Sequence, residues 1–156
     1  MAFDLYDASI PGLIHMLGSL SSILAKGEAH GGIDPSEARL APDMLPLKAQ
    51  VYIATDSAKG CGARLAGVDI PKFEDVETSF AELRARVAKT IEFLTSLNRA
   101  DFAGAENKHI VLKFPSTTLE YSGGDYVTRF VLPNVYFHIT TAYDILRNRG
   151  VTLGKN

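Results

Sequence analysis

The chain has 156 residues, long enough for one domain that buries its own core without staples. With 22% charged and 46% hydrophobic residues it reads as globular and is too apolar for a disordered chain. A formal net charge of -2 gives no electrostatic footprint for nucleic acid or an anionic membrane, so neither is an expected partner.

The single cysteine, Cys61, excludes an intramolecular disulfide and any multi-cysteine metal site, and it suits a reducing compartment. No apolar run approaches the roughly 20 residues of a membrane span. The N-terminus carries Asp4 and Asp7 where a signal peptide would be basic, so the expected location is cytoplasmic.

Apolar residues at Ile10, Leu13, Ile14, Leu17, Leu20 and Leu24 share one helical face, which predicts a first helix over 7–26, capped by Asp7 or Ser9 with Pro11 in its first turn. His15 points away from that stripe and reads as solvated. Residues 27–42 hold Gly27, Gly31, Gly32 and Pro35 and read as a loop with a helical turn near 36–40; His30 is expected on its surface.

A second helix is expected from an Asp43 cap, with Pro46 in its first turn and a stripe through Met44, Leu47, Val51, Ala54, Ala58, Cys61 and Leu65. Gln50 falls at the edge of the stripe and Asp56 points outward. Gly60 and Gly62 mark either close approach of a neighbouring helix or a ligand, or fraying. After a connection over 67–75, Glu77, Thr78 and Ser79 open a third helix. Its stripe is Phe80, Leu83, Val87, Ile91, Leu94 and Leu97, with Glu82, Arg86 and Lys89 on the charged side and an end near Asn98.

Beyond the polar stretch 99–108 the period changes to alternation. His109 to Phe114 and Thr117 to Tyr121 predict a short hairpin lying against the helices. A short helix follows at 126–132, then a break or kink at Pro133, then a last helix. In that helix Val135, Ile139, Ala142, Ile145 and Leu146 form the apolar arc, and His138 lies inside it with Asn134 at the edge.

A buried imidazole needs partners for both nitrogens, because an unsatisfied buried polar group costs about 1–3 kcal/mol. Two readings follow. In one, His138 is a core residue hydrogen-bonded to Gln50, Asn134, Tyr6, Tyr143 or a buried water. In the other it lines a pocket between helices, where bundles place ligand and metal sites. Amide oxygens are poor ligands for Zn or Ni, and no second histidine shares the face of His138.

The segments Pro42 to Gln50, Leu132 to Arg147 and Gly150 to Lys155 resemble a bacterial family of uncharacterised proteins, a domain of unknown function grouped with the DinB/YfiT-like metalloenzymes. The resemblance spans nearly the whole chain and implies an all-α fold, a four-helix bundle with a long crossover, often dimeric. Typical DinB-like members hold a divalent metal through one histidine of the second helix and two, spaced i, i+4, of the last. By that likeness His138 matches the second of the pair, Asn134 the first, and Gln50 falls at or near the helix-two ligand, so two of three histidines are amides here. Active relatives include thiol-dependent transferases. The likeness also implies a tail continuing past Asn156.

Two functional expectations follow. The first is a small-molecule pocket formed by Gln50, Asn134 and Tyr143, with His138 as general acid or base or as the ligand of a weakly held divalent metal such as Zn or Ni. The second is a non-enzymatic, homodimeric binding or stress-response module in which the same polar residues form a buried hydrogen-bond cluster. A thiol chemistry at Cys61 ranks last, since a cysteine on an apolar stripe is inert packing.

Overall fold

The computed structural model describes residues 2–155. Met1 and Asn156, and with them the expected continuation of the tail, lie outside the described residues. Helix α1 spans Ile10–His30 and buries Ile10, Leu13, Leu17, Leu20 and Leu24 completely. It outlasts the predicted end near Lys26 because Gly27 extends the buried stripe under Phe80 and Leu146. Gly31, at φ 76, terminates it. His30 is therefore the last helical residue, still exposed, and not part of a loop. Neither expected cap acts as one: the Ser9 hydroxyl donates back to the Leu5 carbonyl at 2.7 Å, and Asp7 is bound to Arg99.

Helix α2, Leu47–Ala66, begins four residues after the predicted Asp43 cap. The reason is local. Leu45 precedes Pro46, and a residue before proline is pushed out of the helical region, so no helix runs through that pair. Gly62 settles one open choice in favour of close approach: a β-carbon there would meet Leu94 and Leu97 at 2.7 Å, so α2 and α3 touch across it.

Helix α3, Phe80–Ser96, starts where expected, on a capping box in which Ser79 and Glu82 satisfy each other's backbone N–H. Backbone N–H groups of Thr78 and Ser79 donate to the Glu82 carboxylate and hold it below its usual range. Phe80, Leu83, Val87 and Leu94 are buried. Arg86 is the correction. Expected on the charged outer face, it is only 1% exposed.

The stretch after α3 folds into two 3-10 turns, Arg99–Phe102 and Ala105–Asn107, that bury Phe102 and Ala105. The hairpin follows as predicted, β1 (His109–Lys113) antiparallel to β2 (Thr118–Ser122), with Ile110 and Leu112 turned inward. Next come a single turn α4 (Gly123–Asp125), a π-helical stretch Tyr126–Val131 and helix α5 (Leu132–Asn148). No break occurs at Pro133. The wider π register just before it, in which Leu132 N–H bonds the Val127 carbonyl, accommodates a residue that has no N–H of its own.

Helix α2 packs along α5 and α1 along α3, while α2–α3 and α1–α5 contacts close the ring. Helices α1 and α2 are thus diagonal, and residues 31–46 form the long crossover between them. The expected all-α bundle with a hairpin between the third and last long helices is the observed architecture, and its apolar faces share one core.

Candidate functional site

Gln50 occupies the first turn of α2 and is 2% exposed. Its amide nitrogen donates to the Leu45 carbonyl at 3.0 Å, which leaves its oxygen turned toward α5. There Oε1 lies 2.6 Å from Nδ1 of His138. With the amide nitrogen committed as a donor, Oε1 can only accept, so the proton of the neutral imidazole is assigned to Nδ1 and the lone pair to Nε2. The main chain at Leu45 thereby sets the tautomer of a side chain on another helix.

His138 is half-buried rather than enclosed. The pair lies in the first turn of α2 and near the middle of α5. Partial burial disfavours the imidazolium and lowers the pKa of His138. Around it the rim is apolar: Leu45 is 51% and Phe137 56% exposed, and the Phe137 ring stands edge-on to the imidazole at 5.0 Å.

The other sequence-selected residues are not brought into this hydrogen-bonded pair. Asn134 donates its amide to the Phe130 carbonyl at 2.7 Å, one turn upstream and beside the missing N–H of Pro133. Tyr143 is half-buried on α5, and among the described residues no hydrogen bond joins it to His138. Tyr6 lies elsewhere, edge-on to Phe102 at 5.1 Å and facing Arg99. Cys61 is fully buried in the core, and burial pushes its thiol up to about 12, which removes it as a nucleophile near neutral pH.

A tightly held divalent cation does not fit these donors. Nδ1 of His138 is taken by Gln50, both ends of the Gln50 amide are engaged, and the Asn134 nitrogen is engaged as well. One imidazole nitrogen and an amide oxygen fall short of the three or four strong ligands that Zn or Ni requires. Among the described residues no group of three or more His, Cys, Asp or Glu side chains could hold a metal ion.

The polar centre that sequence reading missed is around Arg86. Its Nε donates to the Thr55 hydroxyl at 2.8 Å, Nη1 to the Glu74 carbonyl and the Glu77 carboxylate, and Nη2 to Asp56 and Asp75 at 2.9 and 3.0 Å. Its guanidinium also faces the Tyr52 ring at 4.8 Å. Asp56, read as simply outward, is half-exposed and holds both Arg86 and Lys59. A signal was present: Arg86 lies three residues after Leu83 and four before Thr90, which is the spacing of the buried arc. The acidic run at 74–77 supplies two of its carboxylate partners, Asp75 and Glu77.

Comparison with known proteins fits this geometry. The crystal structure of a DinB family member protein from Shewanella denitrificans superposes with a TM-score of 0.82 at 39% identity, over 97% of this chain and 89% of that one. No curated protein matches the chain. The profile of a domain of unknown function, DUF1993, matches residues 5–156, and with the bundle, the crossover and the hairpin in place the chain belongs to that DinB-like family.

Proposed function

We propose that the chain binds a small molecule at the α2–α5 seam, through the Nε2 lone pair of His138. The observation that carries this reading is the Leu45–Gln50–His138 relay, which places the proton of the neutral imidazole on Nδ1 while leaving Nε2 without a partner among the described residues. A ligand suited to it presents an N–H or O–H donor to Nε2 and an apolar group to Leu45 and Phe137. If the bound molecule reacts, Nε2 is the general base, since a neutral imidazole is the side chain able to accept a proton near pH 7.

The test is thermal melting of the untagged protein and of His138→Ala against imidazole- and phenol-class fragments, with Zn and Ni salts run alongside. Fragment stabilisation that disappears in His138→Ala supports the reading. Stabilisation by Zn or Ni alone transfers the site to a metal, and an unchanged melt with every fragment removes it.

A second reading has its own support. Tyr136 and Phe137 are exposed neighbours on α5, next in sequence to His138, and such adjacent apolar side chains suit a non-enzymatic homodimer that closes over the same residue. Sedimentation at rising concentration separates the two: a monomer at the highest concentration reached ends this alternative.

A further inference from the structure

We infer that the cleft between α2 and the 67–79 connection is a second binding site, taking a small organic anion with a carboxylate on an apolar body. The cleft is an open depression of ≈ 570 Å³, lined from α2 by Asp56, Lys59, Gly60 and Arg64, and from the connection by residues 70–74. Gly60 is ten residues beyond Gln50, about 15 Å along the helix at 1.5 Å per residue, so this site does not rest on the reading of His138.

Its charges divide into those already matched and those not. Asp56 holds the Lys59 ammonium at 3.0 Å and the Arg86 guanidinium at 2.9 Å through one oxygen, so its negative charge is neutralised from inside the fold. Lys59 is 5% exposed and is further fixed over the Phe73 ring at 4.1 Å. Arg64 makes one hydrogen bond, to the Tyr126 hydroxyl at 3.0 Å, and Lys72 makes no ion pair among the described residues. Arg64 therefore retains unpaired guanidinium N–H groups at the cleft, and Lys72 a free ammonium, against the single carboxylate of Glu74 on the rim.

Gly60 makes room for this. A β-carbon at that position would run into the Arg64 guanidinium, so the bare helix surface lets the arginine lie back along α2 and line the cleft. The opposing wall is apolar: Ile70, Pro71 and Phe73 offer contact to the body of a ligand. A planar guanidinium beside a point charge suits a carboxylate, which it can engage with two parallel N–H donors.

Backbone 1H–15N spectra of the full chain, titrated with benzoate, acetate and benzyl alcohol, test the assignment. Benzoate shifts the amides of Gly60, Arg64, Ile70 and Phe73 and leaves His138 unmoved. It binds about ten-fold tighter than acetate, the difference being burial of the ring. Replacing the exposed Lys72 by Gln weakens benzoate about three-fold, as expected for one solvated charge. Arg64→Gln weakens it about ten-fold through loss of charge-assisted hydrogen bonds. Benzyl alcohol produces no comparable shifts. Equal response to benzoate and acetate, shifts elsewhere on the chain, or an undiminished response in Lys72→Gln overturns the proposal. Lys72 is exposed, so that variant keeps the test valid even if Arg64→Gln fails to fold.

Discussion

Arg86 and His138 form an instructive pair, because both are polar side chains packed against α2 and they end in opposite conditions. Arg86 is 1% exposed and each of its three guanidinium nitrogens has a partner: Thr55, the Glu74 carbonyl with Glu77, and Asp56 with Asp75. His138 is half-exposed and has one of two nitrogens bonded. The first is a closed structural joint that ties the α2–α3 connection to the bundle. The second keeps an unused bonding direction at the surface. Unused capacity, more than burial, distinguishes a candidate site from a scaffold.

The largest expected effect comes from breaking the joint. Arg86→Met removes the cation from among Asp56, Asp75 and Glu77 and should lower unfolding free energy by about 3 kcal/mol, the scale seen when one partner of a buried ion pair is deleted. Urea denaturation measures it. A loss under about 1 kcal/mol would mean that the connection is held by its apolar contacts instead.

Next is Gln50→Leu, which deprives Nδ1 of its acceptor and the Leu45 carbonyl of its donor. A destabilisation of about 1–3 kcal/mol is expected from the groups left unsatisfied. More telling is the tautomer: imidazole 15N shifts should report Nδ1–H in the parent protein and a mixture in the variant. A mixture in both would break the relay from Leu45 to His138.

The pH response sharpens the same contrast. The folded pKa of His138 lies below its ordinary value of 6.5, so on acidification the unfolded chain takes up its proton first. Its contribution to stability is whole above about 6.5 and is lost as the pH falls below that value. His138→Gln should flatten this part of the stability profile, and an unaltered slope would assign it to other groups. Gln50→Glu places a carboxylate beside Nδ1 and should raise the histidine pKa, reversing the sign.

Smaller still is Asn134→Ala. Loss of the bond to the Phe130 carbonyl should cost about 1 kcal/mol and leave the His138 tautomer as it was. A changed tautomer would return Asn134 to the site. Ser79→Ala, which removes the cap of α3, should cost about 1 kcal/mol without altering either region.

Much of the fold was legible because it is written in local periodicity. The 3.6-residue stripes of α1, α2, α3 and α5, the alternation in the hairpin and the Ser79–Glu82 box depend on neighbours a few positions apart. Inward aim of His138 and its partnership with Gln50 were likewise readable, since both sit on or beside apolar arcs. Element ends were read less well. Leu45–Pro46 stopped α2 from starting at Asp43, Gly27 prolonged α1, and a π register carried the chain past Pro133, each a balance between local preference and packing.

By itself, then, the sequence determined the helices, the hairpin, the family and the face on which His138 lies, because these follow from spacing and residue chemistry along one segment. Only the tertiary structure decided that Arg86 is enclosed by carboxylates from another helix and a loop, that Asn134 turns back to its own helix, and that Leu45 orients Gln50 and so His138. Those outcomes depend on which distant groups meet, and partners brought from 30 residues away (Asp56 to Arg86) or 88 (Gln50 to His138) leave no periodic trace in the chain.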